Sequence, residues 1–365
     1  MKLLLLGAVL LLQPTAFDAA RRLQEQGRYA EAEAKYREVL RAQPRSIPAL
    51  TNLGVVLARQ SKFADAIAAY KKVLDIDPSL TPVRGNIALA YYQTEDWDNA
   101  AAWFVQLLDK NPADHRVQQL LAICNVQRQH YEEAAKLFAQ LLPSDDPSIL
   151  IGAATSYIET GRAQEASSLL EKLLILQPDA PQVHFLVGLA HFARERYPEA
   201  AASLRRMLET TPASAEGHFY LGAVYFKQDN HEAAITEWRK ALQANRSYFP
   251  AVFSLGALLS ERQEYKEAEV LLKQAQSLRP DSVPVEYELG RLAYNQGVYT
   301  EAIRRLSRAA KLDPNSRQTS FLLANTLRRL GREEEALKEF QRSRQLYQGE
   351  DRDTVDRALD KKPKP

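Results

Sequence analysis

A chain of 365 residues with 48 Lys and Arg against 46 Asp and Glu carries a net charge of +2, with both signs interspersed, and so lacks the basic stripe of a general nucleic-acid binder. Hydrophobic residues make up 45% and charged residues 26%, a balance suited to helices, and the single cysteine, Cys124, excludes an internal disulfide and a paired-thiol zinc site. A globular chain of this length would form roughly two or three domains.

The N-terminus begins Met1-Lys2, runs from Leu3 to Leu12 without a polar residue, and continues Gln13-Pro14-Thr15-Ala16. A basic start, an apolar core and a small-residue exit have the layout of a secretory signal peptide over residues 1–16. As a helix the apolar run spans about 15 Å, half the hydrocarbon thickness, too short for a transmembrane anchor. The expectation is export to a bacterial periplasm, with no integral membrane span after signal removal. The alternative is a cytoplasmic chain with a greasy N-terminal cap.

A period then takes over. Alanine stands at 32, 66, 100, 134, 166, 200, 234, 268, 302 and 336, with every step 34 residues except one of 32. Twelve residues before these come Ala20, Gly54, Ala88, Ala122, Ala154, Gly188, Gly222, Gly256, Gly290 and Ala324, all small. Twelve residues after come Pro44, Pro78, Pro112, Pro178, Pro212, Pro280 and Pro314, with Asp146, Arg246 and Gln348 as exceptions. Between the two small slots an aromatic or histidine recurs, as Tyr29, Phe63, Trp97, Tyr131, Tyr197, His231, Tyr265 and Tyr299. Two antiparallel helices approach to about 8–10 Å only where neither presents a large side chain, so the small slots mark a crossing. Proline then stops the second helix, having no amide hydrogen to donate. Of the 14 glycines, five occupy crossings, and Gly27, Gly161, Gly297 and Gly331 fall at the turn between paired helices, which leaves no glycine cluster to cradle a phosphate.

This pattern resembles the tetratricopeptide repeat, whose unit carries small residues at two fixed slots and a late proline. Asn52-Leu53-Gly54 through Phe63, Ala66, Tyr70 and Asp77-Pro78 read almost as that family's consensus. Counted from the proline phase, units begin at 13, 47, 81, 115, 147, 181, 215, 249, 283 and 317. The resemblance implies an all-α fold, a right-handed superhelical solenoid of ten helix-turn-helix hairpins over residues 17–348. The fourth unit is two residues short and carries Pro143 and Pro147 around Ser144-Asp145-Asp146, which predicts a joint at 143–147. Beyond the array, residues 349–365 form a charged tail, with Val355 and Leu359 spaced for a short capping helix before Lys-Lys-Pro-Lys-Pro.

Members of the family generally use the groove lined by the opening helices for peptides or partner helices, so the resemblance implies a non-catalytic scaffold with a protein or peptide partner. Three residues before the Gly/Ala slot stand Phe185, Phe219, Phe253, Tyr287 and Phe321, and four residues after it Phe192, Phe226, Tyr294 and Arg328. Together with Arg291 and Asn325, which follow the slot directly, these are the candidate partner-binding residues. Aromatics at such slots also pack against the neighbouring hairpin, which is the competing structural reading. The stripe is confined to the C-terminal half, because Thr51, Gly85 and Gln119 hold the same slot earlier. Arg291, Arg328 and Arg329 predict a cationic end to the groove. No Lys–Asn pair occupies the slots with which some members grip a terminal carboxylate, and Asn52 with Asn86 is too short for an asparagine ladder.

Signatures of chemistry are missing: there is no Gly-x-Ser-x-Gly, no phosphate loop and no His-Glu-x-x-His. His184, His191 and His218 are the only imidazole grouping. His184 and His218 hold equivalent slots in adjacent hairpins, about 10 Å apart by helix-packing distances, too far to share a zinc bound at about 2 Å. The expectation is no catalysis, no cofactor and no metal site. The alternative is a helical adaptor subunit of an enzyme system, a glycosyltransferase or protease with catalysis on another chain. In either case the chain is a monomer or part of a complex.

Overall fold

The computed structural model describes residues 15–346, so most of the predicted signal segment and the charged tail from 349 lie outside the described residues. Among the described residues there are twenty α-helices and no strand. The chain divides into two compact units at Pro178/Asp179. The N-terminal unit holds five hairpins: α1 (Ala16–Glu25) with α2 (Tyr29–Ala42), α3 (Ile47–Arg59) with α4 (Phe63–Ile76), α5 (Thr81–Gln93) with α6 (Trp97–Leu108), α7 (His115–Gln127) with α8 (Tyr131–Leu141), and α9 (Pro147–Glu159) with α10 (Ala163–Leu176). The C-terminal unit holds five more: α11 (Pro181–Ala193) with α12 (Tyr197–Thr210), α13 (Ala215–Lys227) with α14 (His231–Ala244), α15 (Phe249–Glu261) with α16 (Tyr265–Leu278), α17 (Val283–Asn295) with α18 (Tyr299–Leu312), and α19 (Arg317–Arg329) with α20 (Glu333–Gln345). Within each unit every closing helix packs on the next opening helix, so the core is a continuous seam.

The period explains the hairpin. All ten alanines are 0–1% exposed. The facing slot is equally tight, since a Cβ added at Gly290 would come within 2.7 Å of Leu306 and one at Gly222 within 2.6 Å of the Trp238 indole. Several opening helices carry a proline in the first turn, where no intrahelical donor is lost. Asp114, Ser214 and Ser316 cap others by accepting a backbone N–H, and Asp146 does so for α9 beside its proline. At all ten turns one residue takes a left-handed φ between 57° and 76°. Only four of these are glycine; Ser61, Glu95, Gln129, Glu195, Asp229 and Gln263 fill the rest. The turn is locked by a long-reach bond from the following amide, as from Lys62 N–H to Leu57 O (2.9 Å) and Val298 N–H to Ala293 O (2.8 Å).

A second periodic device ties each linker down. Six residues after the crossing alanine, Lys172, Gln274, Arg308 and Arg342 donate to the carbonyls of Ser144 (2.7 Å), Arg246 (2.7 Å), Pro280 (3.1 Å) and Pro314 (2.8 Å) in the preceding linker. Four residues before the Gly/Ala slot, Arg84, Gln118 and His218 reach the carbonyls of Pro78 (2.8 Å), Pro112 (2.7 Å) and Pro212 (3.0 Å). Carbonyls at a helix end have no intrahelical donor, so these side chains supply one. The shortened linker at 143–147 is not where the units divide. There α8 packs on α9, Gln119 donates to the Ser148 hydroxyl (2.8 Å), and Lys172 pairs with Asp145.

Candidate interaction surface

The opening helices α11, α13, α15, α17 and α19 carry the predicted stripe, and the structure places each ring at the margin of the core. Phe185, Phe192, Phe219, Phe253, Tyr287, Tyr294 and Phe321 are half-buried, and Phe226 is 37% exposed. Their inner edges join an edge-to-face network: Phe192 and Phe185 both meet Tyr220 (6.5 and 5.5 Å between centroids), and Phe219 meets Tyr220 (5.2 Å) and Tyr248 (5.7 Å). Phe253 stacks on Phe249 at 6.0 Å, and the Arg279 guanidinium lies 4.0 Å over the same Phe249 ring. Phe226 stacks on His231, Tyr294 meets Tyr299, and Phe321 meets Phe340 of α20. Burial pushes the Tyr248 hydroxyl up to about 12. The rings thus pack against the stack and also leave part of their surface outside it.

The cationic end differs from expectation. Arg291 is held by two carboxylates, Glu288 (2.7 Å) and Glu261 of the preceding hairpin (3.0 Å), so its charge is already neutralised. Burial raises the Glu288 carboxyl above its usual range, against the pull of Arg291. Arg328 lies 5.2 Å over the Phe340 ring and donates to Asn325 Oδ1 (3.0 Å), whose amide donates in turn to Phe321 O (3.0 Å). Of the three arginines only Arg329 is exposed, with its pKa raised by a hydrogen bond to Tyr294.

In the middle hairpins of the N-terminal unit the slot that holds rings elsewhere is polar or small (Thr51, Gly85, Gln119), while Phe17 and Ile151 hold it at that unit's two ends, and Gln119 spends its amide on Ser148 and Asp146. Yet this unit has a feature that sequence reasoning missed, a cavity of about 490 Å³ between α3 and α5, lined by Val55, Ala58, Arg59, Asn86, Leu89 and Gln93 among others. The signal for it was the small side chains of Ala58 and Ala90.

Two of the groups weighed for chemistry, His218 and Cys124, are buried in the packing. His218 is buried, with Nδ1 2.6 Å from Glu237 and Nε2 3.0 Å from Pro212 O. Burial lowers the pKa of His191. Burial also pushes the Cys124 thiol up to about 12, the opposite of an activated nucleophile. Among the described residues no group of three or more His, Cys, Asp or Glu is arranged to hold a metal, and no helix is long and apolar enough to cross a membrane.

Stacked hairpins with small residues at each crossing define a class of helical repeat proteins. The tetratricopeptide repeat pattern matches residues 17–80, 57–124, 151–215, 193–248 and 287–351, and the chain belongs to the tetratricopeptide repeat family, whose arrays are protein-interaction scaffolds and generally non-catalytic. No curated protein sequence matches it. Among solved structures it is similar to the APC/C hetero-tetramer Cut9–Hcn1, with 19% identity and a TM-score of 0.57 over 86% of this chain and 63% of that one. It is also similar to yeast Tom70, with 15% identity and a TM-score of 0.49 over 94% of each chain. At such identities the likeness concerns the fold alone, and the chain spans 63% of the Cut9–Hcn1 chain it matches.

Proposed function

We propose that the C-terminal unit docks a protein segment bearing apolar anchors along its opening helices, the chain acting as a non-catalytic scaffold. The observation that carries this is the row of partly exposed rings, Phe185, Phe219, Phe253, Tyr287 and Phe321, on five successive opening helices. Apolar surface left continuous in this way marks interaction sites. Because Arg291 is paired within the chain, the ligand is selected mainly by apolar anchors, with Arg329 the exposed charge beside the row.

The test is capture of the native partner from an envelope fraction, followed by its affinity for Phe226→Ala and Phe253→Ala. Each ring removed should weaken binding by about fivefold, which corresponds to about 1 kcal/mol. Stability should fall by less than the roughly 3–5 kcal/mol of a fully buried Phe→Ala. Unchanged affinity with a full core-sized loss of stability would assign the stripe to packing.

Export belongs to the same reading and is supported by the Lys2–Leu12–Ala16 layout. Since α1 starts at Ala16, loss of residues 1–16 would leave Phe17–Glu25 of that helix in place. Intact-mass measurement on protein from a bacterial envelope checks this; a full-length cytoplasmic product defeats it.

A further inference from the structure

A cleft of about 490 Å³ lies in the N-terminal unit between the closing helices α2 and α4, on the side away from the opening-helix groove. Its floor is aliphatic, made by Leu40 of α2 with Leu50, Leu53 and Leu57 of α3. Its existence has a cause in the sequence. Three residues after the crossing alanine, four other hairpins carry Trp103, Leu137, Leu169 and Leu271 and four carry the long polar side chains Lys35, Glu237, Arg305 and Glu339, whereas this one carries Ala69 beside Ala68. The linker staple is missing here too. Leu50 holds the slot where Arg84, Gln118 and His218 reach back to a linker carbonyl, and Lys72 holds the slot from which Lys172, Arg308 and Arg342 do the same.

The rim is charged with one dominant sign. Arg37, Arg41 and Lys72 line it against a single carboxylate, Asp65. Arg37 is partly committed to Glu33 (2.9 Å). Arg41 and Lys72 make no ion pair or hydrogen bond among the described residues. An aliphatic floor beneath cations that hold no hydrogen-bonded partner selects a ligand that joins an apolar side chain to carboxylates. The cleft is partly open to solvent, which fits a chain segment lying across it better than an enclosed alkyl tail.

We propose that this cleft is a second docking site, taking an acidic peptide segment in which a leucine-sized side chain enters between α2 and α4 while flanking carboxylates pair with Arg41 and Lys72. It is independent of the groove in the C-terminal unit, and variants confined to α2 and α4 separate the two.

The probe is a fluorescein-labelled peptide with a central leucine flanked by glutamates, titrated onto the full chain by anisotropy. Ala69→Leu fills the cleft with the residue that Leu137 and Leu271 present in other hairpins, and Arg41→Gln with Lys72→Gln removes the rim charge at exposed positions. Each should weaken the probe by about tenfold, whereas Phe253→Ala should leave its affinity unchanged. Should Ala69→Leu fail to fold, the exposed double variant decides alone. The proposal is overturned by absent binding, by equal binding of a peptide with lysines for glutamates, by insensitivity to a folded variant, or by binding of laurate in place of the peptide.

Discussion

The glycines inside the opening helices form a graded test of how closely paired helices approach, because replacing each by alanine adds the same methyl group to a different space. At Gly85 that methyl finds only Leu107 Cδ1 at 4.0 Å, ordinary contact. Removing a helix-interior glycine then stabilises by roughly 0.5–1 kcal/mol through chain entropy alone. At Gly256 it meets Leu272 at 3.1 Å and Leu271 at 3.2 Å, so neighbours must yield slightly. The two effects should cancel to within about 0.5 kcal/mol, the same entropic gain being set against mild overpacking. At Gly222 it meets Trp238 Cδ1 and Nε1 at 2.6 Å, and that indole is 3% exposed and donates to Phe219 O at 3.1 Å. Displacing it combines overpacking of about 1–3 kcal/mol with a lost hydrogen bond of about 0.5–1.5 kcal/mol, less the entropic gain. The net is a loss of roughly 1–3 kcal/mol, and Ala234→Leu, on the facing helix, should cost at least as much. Urea unfolding read by Trp238 fluorescence, in a background with Trp97 and Trp103 replaced by Phe, reports the three C-terminal variants. Gly85→Ala is read by those two tryptophans in a background with Trp238→Phe. If Gly222→Ala proved as stabilising as Gly85→Ala, the crossings would not be close contacts and the account of the period would fail.

Two further outcomes follow from backbone and charge. At the left-handed turns, Gln263→Gly (φ 66°) and Glu195→Gly (φ 58°) should raise the unfolding midpoint, since a side chain there costs roughly 1–2 kcal/mol, while Gly297→Ala (φ 76°) should lower it by a similar amount; a midpoint unchanged or lowered in the two glycine variants and unchanged in Gly297→Ala would show the turns to be unstrained. On the acid side, Lys62, then Arg37 and Gln60, hold the Glu33 carboxyl down to about 2, and Arg304 with Arg305 does the same for Glu301, from an ordinary value of 4.5. A depressed folded pKa means stability fully present above 4.5 and lost as pH falls toward 2, whereas Glu288, raised by burial, acts in the opposite sense. Thermal midpoints measured from pH 5 to about pH 2.5 should fall steeply, and less so in Glu33→Gln; parallel curves would remove Glu33 from that account.

Much of the fold was legible because its determinants are local and recur. A small residue at a crossing has no substitute, so the ten alanines and their partners announce the hairpin by themselves. The turn was only half legible. A left-handed residue is signalled when it is glycine, as at Gly161, but Glu95 and Asp229 take the same φ because the surrounding hydrogen bonds impose it. The linker staple went unread although its slot carries Lys72, Gln106, Gln140, Lys172, Arg206, Lys240, Gln274, Arg308 and Arg342. Long polar donors at a solvent-facing slot look like an ordinary hydrophilic face until a carbonyl in the previous linker is seen to lie within reach. The cationic end failed for a related reason. Arg291 was read without Glu261, which stands 30 residues earlier and comes alongside only when consecutive hairpins stack.

The ring row shows why sequence alone could not rank core against surface. A phenylalanine buries about 150–250 Å² when fully enclosed, and full burial is worth roughly 1.5–3 kcal/mol. A partly exposed ring has spent most of that on its own stack, through contacts such as Phe219–Tyr248 and Phe321–Phe340, and has at most about 1 kcal/mol left to offer a partner. Five such rings sum to at most about 5 kcal/mol, at the low end of the roughly 4–15 kcal/mol lost when two molecules associate. Apolar anchoring therefore selects the face without securing the complex. A partner that binds tightly must add polar contacts along the opening helices, where Asn325 and Arg329 flank the last ring, or engage additional surface on the same chain.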